Sequence, residues 1–228
     1  MGRYLLFTFW LALAAAPTTD LEMARDKQDR AAIDKTIADL SAAASKTPKD
    51  AAAQYKLALA QSYMAEVATE LKDKVQAKNA AEAGIKAANA AVALKPDMAE
   101  YHRILGTLCG QVIPSNVLLG AMKYGKCSQE SITKAIELDG KSAMAYLSRG
   151  IGNYYLPAQF GGGIDIAIKD FDKAIQLNPK MADAYLWRGV ALRKANRNEE
   201  ARKDFEKSLQ LNPNRLWAKQ QLEKTPAK

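Results

Sequence analysis

The 228-residue sequence is poor in the side chains on which most enzyme chemistry depends, with one histidine and two cysteines. No second histidine exists to complete a zinc set. A Cys-His nucleophile would have to join His102 to Cys109, seven positions apart, too far for ligands on adjacent helical turns. His102 reads instead as a packing residue. The acid pairs Glu199-Glu200 and Asp170-Asp172 fall at helix starts or on exposed faces, where they complement a helix dipole or solvent, not in an enclosed setting suited to general acid-base work. The glycine run Gly161 to Gly163 lacks the Lys and Ser/Thr of a phosphate loop and follows no strand. No catalytic, metal or cofactor site is expected. Aromatic residues are only 7% of the chain, and its 13 glycines and 8 prolines fall between long alanine-rich stretches. That pattern leaves little room for strands and points to an all-α class.

What the chain does contain is enough apolar surface for one folded domain: 48% apolar residues against 25% charged. Residues 1–16 stand apart, because Arg3 is followed by the uncharged apolar run Tyr4 to Ala16. This segment reads as a signal peptide, with A-x-A sites at Ala12, Ala14 and Ala16. Pro17 obstructs the last site, so cleavage after Ala14 is favoured. The alternative is an uncleaved N-terminal anchor, although the run is short for a span. No cysteine near the site could carry a lipid. The expected location is the periplasm or the cell exterior. The formal net charge is +8, and Met181 to Lys228 holds 11 Lys and Arg against 6 Asp and Glu. A basic end of this kind can attract nucleic acid, anionic lipid or an acidic protein, and export argues against nucleic acid.

Five similar phrases punctuate the sequence: AASKTPKD from Ala43, AVALKPD from Ala91, AIELDG from Ala135, AIQLNPK from Ala174 and SLQLNPN from Ser208. Their turn residues are Pro48, Pro96, Gly140, Pro179 and Pro213, spaced by 48, 44, 39 and 34 residues. The last unit places Tyr185, Arg188-Gly189, Leu192, Ala201, Phe205 and Pro213 in a fixed order. The unit before it repeats the order with Tyr146, Arg149-Gly150, Ala167, Phe171, Ala174 and Pro179. Fainter copies keep Leu105-Gly106, Ile132, Ala135 and Leu138, then Leu57-Ala58, Gly84, Ala88, Ala91 and Pro96. Small residues such as Gly189 and Ala201 allow two antiparallel helices to approach, while the large ones fill their seam.

These residues resemble the tetratricopeptide repeat (TPR), whose bare length is 34 residues, and the chain is similar to small exported bacterial members of that group. The earlier units then carry insertions of about 14, 10 and 5 residues relative to that length. The resemblance implies a right-handed superhelical stack of antiparallel helix pairs. An N-terminal helix over residues 17–49 should pack on the first repeat of a TPR domain at 50–228. Repeats are expected near 50–96, 97–140, 141–180 and 181–214, with a capping helix over 214–224. Helices are expected near 20–46, 50–72, 76–94, 97–112, 116–138, 141–156, 164–177, 181–195, 198–211 and 214–224. Asp97 with Glu100 should form a capping box, and Asn198 should cap the helix that follows it. Pro157, Phe160 and the three glycines form a shaped loop between the helices of one lengthened repeat.

In such a stack the first helix of each pair lines the concave face, which in this family holds peptides or proteins. That assigns a partner groove to Met144, Leu147, Ile151, Tyr154, Tyr155, Leu186, Val190, Arg193 and Lys194, together with Asp183. Such a groove suits an apolar segment followed by an acidic group. The competing reading buries this stripe as core. The Lys/Asn clamp for chaperone C-termini is absent, because Arg103, Thr107, Ser148, Asp183 and Trp187 stand at the matching places. Cys109 falls late in one helix and Cys127 early in its antiparallel partner, so the two could meet in a disulfide, with two buried thiols as the alternative. The expected function is a non-catalytic scaffold or adaptor of the cell envelope that binds a peptide or protein partner. The alternative is a carrier that holds a small apolar ligand in a pocket closed by the inserted loops. Oligomeric state is not indicated.

Overall fold

The computed structural model describes residues 19–227, so the leader expected over residues 1–16 lies outside the described residues. Eleven α-helices and no strands occur among them: α1 (Asp20–Asp26), α2 (Arg30–Lys46), α3 (Ala51–Glu70), α4 (Lys74–Leu94), α5 (Ala99–Val112), α6 (Val117–Leu138), α7 (Ala143–Tyr155), α8 (Ile164–Leu177), α9 (Ala182–Lys194), α10 (Asn198–Leu211) and α11 (Leu216–Glu223). The pairs α3/α4, α5/α6, α7/α8 and α9/α10 are antiparallel hairpins. The first helices α3, α5, α7 and α9 touch in succession, making the inner row of an all-α solenoid.

Side-chain size at one position in each hairpin explains the close pairing. A Cβ placed on Gly189 would lie 2.7 Å from Phe205 Cε1 and 3.1 Å from the Ala201 carbonyl oxygen. Gly150 meets the Phe171 ring in the same way, at 2.7 Å from Cδ1. Both phenylalanines are fully buried, so the missing side chain on α7 or α9 is the space that the ring from the next helix fills.

Asp29, Asp50, Asp73, Asn116 and Ser142 each accept a backbone N–H at a helix start, satisfying one of the orphan donors there. Two expected caps are corrected. Met98 precedes α5 without a side-chain cap, and Glu100 bonds Tyr55 and Arg103 instead. Asn198 is the first helical residue of α10, while the cap position falls to Arg197, whose guanidinium holds Glu200. The single helix expected near 20–46 is also corrected, because the chain breaks at Lys27 to Asp29, with Gln28 at φ 55°. That break turns the chain so that α1 packs on α2 and α3 while its Arg25 and Asp26 reach Asp183 and Asn212 near the other terminus.

In the loop after α7, Pro157 follows the helix end and Phe160 packs with Ile113, Ala121 and Leu156. Gly161 (φ 84°) and Gly163 (φ 136°) occupy backbone conformations that side chains resist. Cys109 and Cys127 are joined as a disulfide between α5 and α6, with Cα atoms 6.0 Å apart.

Candidate functional site

The concave side of the inner row is not an open groove, because α1 closes across it. Arg215, on the link from α10 to α11, is fully buried, and its guanidinium bonds Glu66 at 2.6 Å, Asp183 at 3.4 Å and also Glu70. Asp26 of α1 lies 3.7 Å from the same group and accepts a bond from Asn212 at 2.7 Å. Arg25, also on α1, bonds Asp26 and reaches Asp183 of α9 at 2.8 Å. Two arginines thus face four carboxylates drawn from α1, α3 and α9. The N-terminal helix, first hairpin, last repeat and cap meet at this one cluster. Buried charges survive only when paired and hydrogen-bonded, so these partners hold one another in place.

The imbalance leaves its mark on Glu66. Burial, with Arg25 and Arg215 opposing it and Glu70 and Asp183 adding to it, pushes this carboxyl up to about 7. Burial also works against ionisation of Asp183, yet Arg25 and Arg215 outweigh it and hold that carboxyl below its ordinary range. Tyr63, desolvated beside Arg25, is pushed up to about 12.

Next to the cluster is a cavity of about 80 Å³. Its charged wall is Glu66, Glu70, Asp183 and Arg25, and its rings are Tyr63, Tyr155, Trp187 and Trp217. Leu59, Ile104, Leu147 and Ile151 make the apolar remainder. On the far side, Arg103 bonds Glu100 at 2.7 Å and Ser148 at 3.2 Å, while Thr107 donates to Ser148 at 2.9 Å.

The residues assigned to a groove from the sequence divide into two sets. Met144, Leu147, Ile151, Tyr155 and Asp183 line the cavity. The other five do not. Leu186 and Val190 are buried in the C-terminal core, where the turn of α9 directs them between helices. Tyr154 packs edge-on against Tyr155 and Trp187, with the Lys194 ammonium 4.7 Å from its ring centre. Arg193 bonds the Gln221 carbonyl at 3.3 Å and the Gln221 side chain at 2.6 Å, so its charge secures α11. The two cations expected to receive an acidic group are therefore not presented to the cavity.

All five residues standing at the chaperone-clamp places, Arg103, Thr107, Ser148, Asp183 and Trp187, do line it. Sequence reasoning missed Arg25, Tyr63, Glu66, Glu70 and Arg215, which come from the N-terminal helices and the last link. Arginines and acids in otherwise apolar helical stretches were the only available signal. His102 is not in the cavity, and its ring Nε2 lies 2.8 Å from the Pro96 carbonyl. Among the described residues, no group of three or more His, Cys, Asp or Glu is arranged to hold a metal ion, and no helix is long and apolar enough to cross a membrane.

Comparison with known proteins places these features. The sequence profile of the family described as regulator of microtubule dynamics protein 1-3 matches residues 20–156, and a tetratricopeptide repeat profile matches residues 158–215. No curated protein matches the chain. Among solved structures, a thermophilic TPR protein of Thermus thermophilus is 17% identical, with 89% of this chain and 95% of that one covered and a TM-score of 0.64. PilF of Pseudomonas aeruginosa is 20% identical, with 72% and 65% covered and a TM-score of 0.47. The Thermus likeness is one of fold alone. With α1 to α7 inside one profile and α8 to α10 inside the other, this chain is a tetratricopeptide-repeat protein that belongs to the family described as regulator of microtubule dynamics protein 1-3.

Proposed function

We propose that the protein is a non-catalytic scaffold that holds a protein or peptide partner on the concave side of the solenoid. One observation carries the reading: rings and carboxylates converge on a cavity at the inner row of a TPR stack, with carboxylates in excess of the arginines tied to them. Such a wall favours a cationic or aromatic side chain, since ring faces attract positive charge and the acids lining it, Glu66, Glu70 and Asp183, outnumber its arginines, Arg25 and Arg103. At about 80 Å³ the space takes one inserted side chain and not a folded segment. The partner is thus a chain that offers a basic anchor, in place of the acidic one expected from the sequence. The family description, a regulator of microtubule dynamics, is compatible with a protein partner.

We place this scaffold in the cell envelope or outside the cell. The apolar leader and the Cys109–Cys127 bridge support that placement, because disulfides persist in oxidising compartments. The apolar half of the cavity also favours a second reading, a carrier of a small apolar ligand. Native mass spectrometry of gently purified protein distinguishes it through a bound small molecule.

Met144 stands at the cavity with its side chain partly exposed, so Met144→Arg blocks the space without emptying the core. The scaffold reading expects wild-type protein to recover a partner from envelope extract and Met144→Arg to lose it at an unchanged melting temperature. A partner retained by that variant rejects the cavity as the site.

A further inference from the structure

Helix α6 has 22 residues and α4 has 21, whereas α8 and α10 of the regular repeats have 14 each. The extra seven or eight residues of each long helix extend its rod by about 12 Å at 1.5 Å per residue. The repeat does not need these turns. Nevertheless, the projecting start of α6 is apolar and uncovered, with Leu118 58% exposed, Leu119 62%, Met122 67% and Val117 also exposed, and beside it Val75 at the start of α4 is 72% exposed. Stability does not explain them, since apolar side chains left in water contribute no burial. Contiguous exposed apolar groups on a folded protein mark a surface that something covers.

The surrounding charge indicates what covers it. Lys74, Lys78 and Lys123 stand with Val75, Leu119 and Tyr124 around a cleft of about 490 Å³ between α4 and α6. Lys126 lies beside Met122 and Phe160 on the other flank. The acids at this end are engaged: Glu82 accepts from Tyr124 at 2.7 Å, Asp73 caps α4 and pairs with Arg30, and Glu130 lies 3.7 Å from Lys126. Among the described residues, Lys74, Lys78 and Lys123 have no carboxylate partner. The Cys109–Cys127 bridge ties the root of the α6 extension to α5, which keeps the tip rigid.

We infer that this tip is a docking wedge for an anionic bilayer surface, with Leu118, Leu119 and Met122 entering the headgroup region and Lys74, Lys78, Lys123 and Lys126 meeting lipid phosphates. Projection favours a bilayer over a protein partner. Leu118 lines neither cleft, and Leu119 and Met122, although each borders one, keep most of their surface in solvent; a soft planar surface accepts such knobs without a complementary socket. A ring of lysines around an apolar centre matches the charge of an anionic leaflet and the depth of its interface.

The test uses the full chain with Met122→Cys carrying a solvatochromic dye, and the same dye at Lys173→Cys on α8 as the control. Because both native cysteines are bridged, one thiol takes the label. A site-specific dye reports this tip whatever the residues before position 19 do. Vesicles of phosphatidylcholine with phosphatidylglycerol should shift the emission at position 122 to the blue and leave position 173 unchanged, with a much weaker response to phosphatidylcholine alone. Lys74→Glu, Lys78→Glu and Lys123→Glu combined should weaken the partitioning about 100-fold. Leu118→Ser with Leu119→Ser should weaken it by a similar factor. No shift at position 122 while the protein co-sediments with anionic vesicles overturns the inference. So does a shift that appears on concentrating the protein without lipid, which would assign the tip to a second copy of the chain.

Discussion

The two ends of this solenoid are built by different means. From α7 to α10 each hairpin is closed by a glycine facing a phenylalanine, Gly150 on Phe171 and Gly189 on Phe205, and polar groups reinforce the seam from its edge, as Arg149 does with Asp170 and Arg188 with Asp204. From α1 to α6 alanine is abundant in the seams, Gly106 faces Ile132 where α5 meets α6, the second helices are longer, and the reinforcement is of another kind: a disulfide between α5 and α6 and a charge cluster that reaches the opposite terminus. Bare repeats need only their neighbours, whereas lengthened ones rely on contacts that the repeat does not encode. The lysine-ringed tip belongs to the irregular half alone, whereas the cavity wall is shared: its carboxylates Glu66 and Glu70 come from α3 and its rings Tyr155, Trp187 and Trp217 from α7, α9 and α11.

The comparison can be broken most forcefully at Arg215. Arg215→Met leaves four carboxylates around Arg25 alone, and unfolding by urea should show a loss of about 3–5 kcal/mol. A loss below about 1 kcal/mol would mean that the closure between termini contributes little. Next is the disulfide, whose ends are 18 residues apart. Cys109→Ala with Cys127→Ala should cost about 3 kcal/mol on the loop-entropy estimate. Hydrogen exchange should rise at the start of α6 and remain unchanged in α9 and α10.

In the regular half, Gly189→Val drives a branched side chain into Phe205 and should cost about 1–3 kcal/mol. Its effect on exchange should stay within the last two hairpins, and a spread to α3 would erase the contrast between the halves. The smallest effect belongs to Glu66, whose carboxyl is raised to about 7 in the folded protein. The native state then holds more protons than the unfolded chain between the ordinary glutamate range and neutrality, so stability falls as pH rises through that interval. Glu66→Gln should flatten this fall and leave the variant the more stable of the two at pH 8. Melting temperatures from pH 5 to pH 8 check it, and an unchanged slope would place the proton elsewhere.

Much of the solenoid was legible because its determinants are local and periodic. Gly189, Ala201 and Phe205 are spaced so that a 3.6-residue helix and a short turn bring them together, and no distant residue is needed. The cavity was only half legible. Met144, Leu147, Ile151 and Tyr155 follow one stripe of α7, but on α9 only Asp183 and Trp187, which stand at the places of Met144 and Ser148, reach the cavity, while Leu186 and Val190 are buried in the C-terminal core. In the sequence Arg193 reads as a free cation, because nothing near it announces the Gln221 carbonyl and side-chain oxygens to which its guanidinium donates.

By itself, the order of small and large residues determined that this chain makes antiparallel helix pairs and stacks them, since each hairpin requires only its own spacing and the next one beside it. Tertiary structure alone decided that the stack closes on itself. Arg25 and Asp183 are 158 residues apart, and Arg215 and Glu70 are 145 apart. No local pattern relates such positions. Only the accumulated twist of four hairpins, together with the break at Gln28, brings their charges to the same buried point.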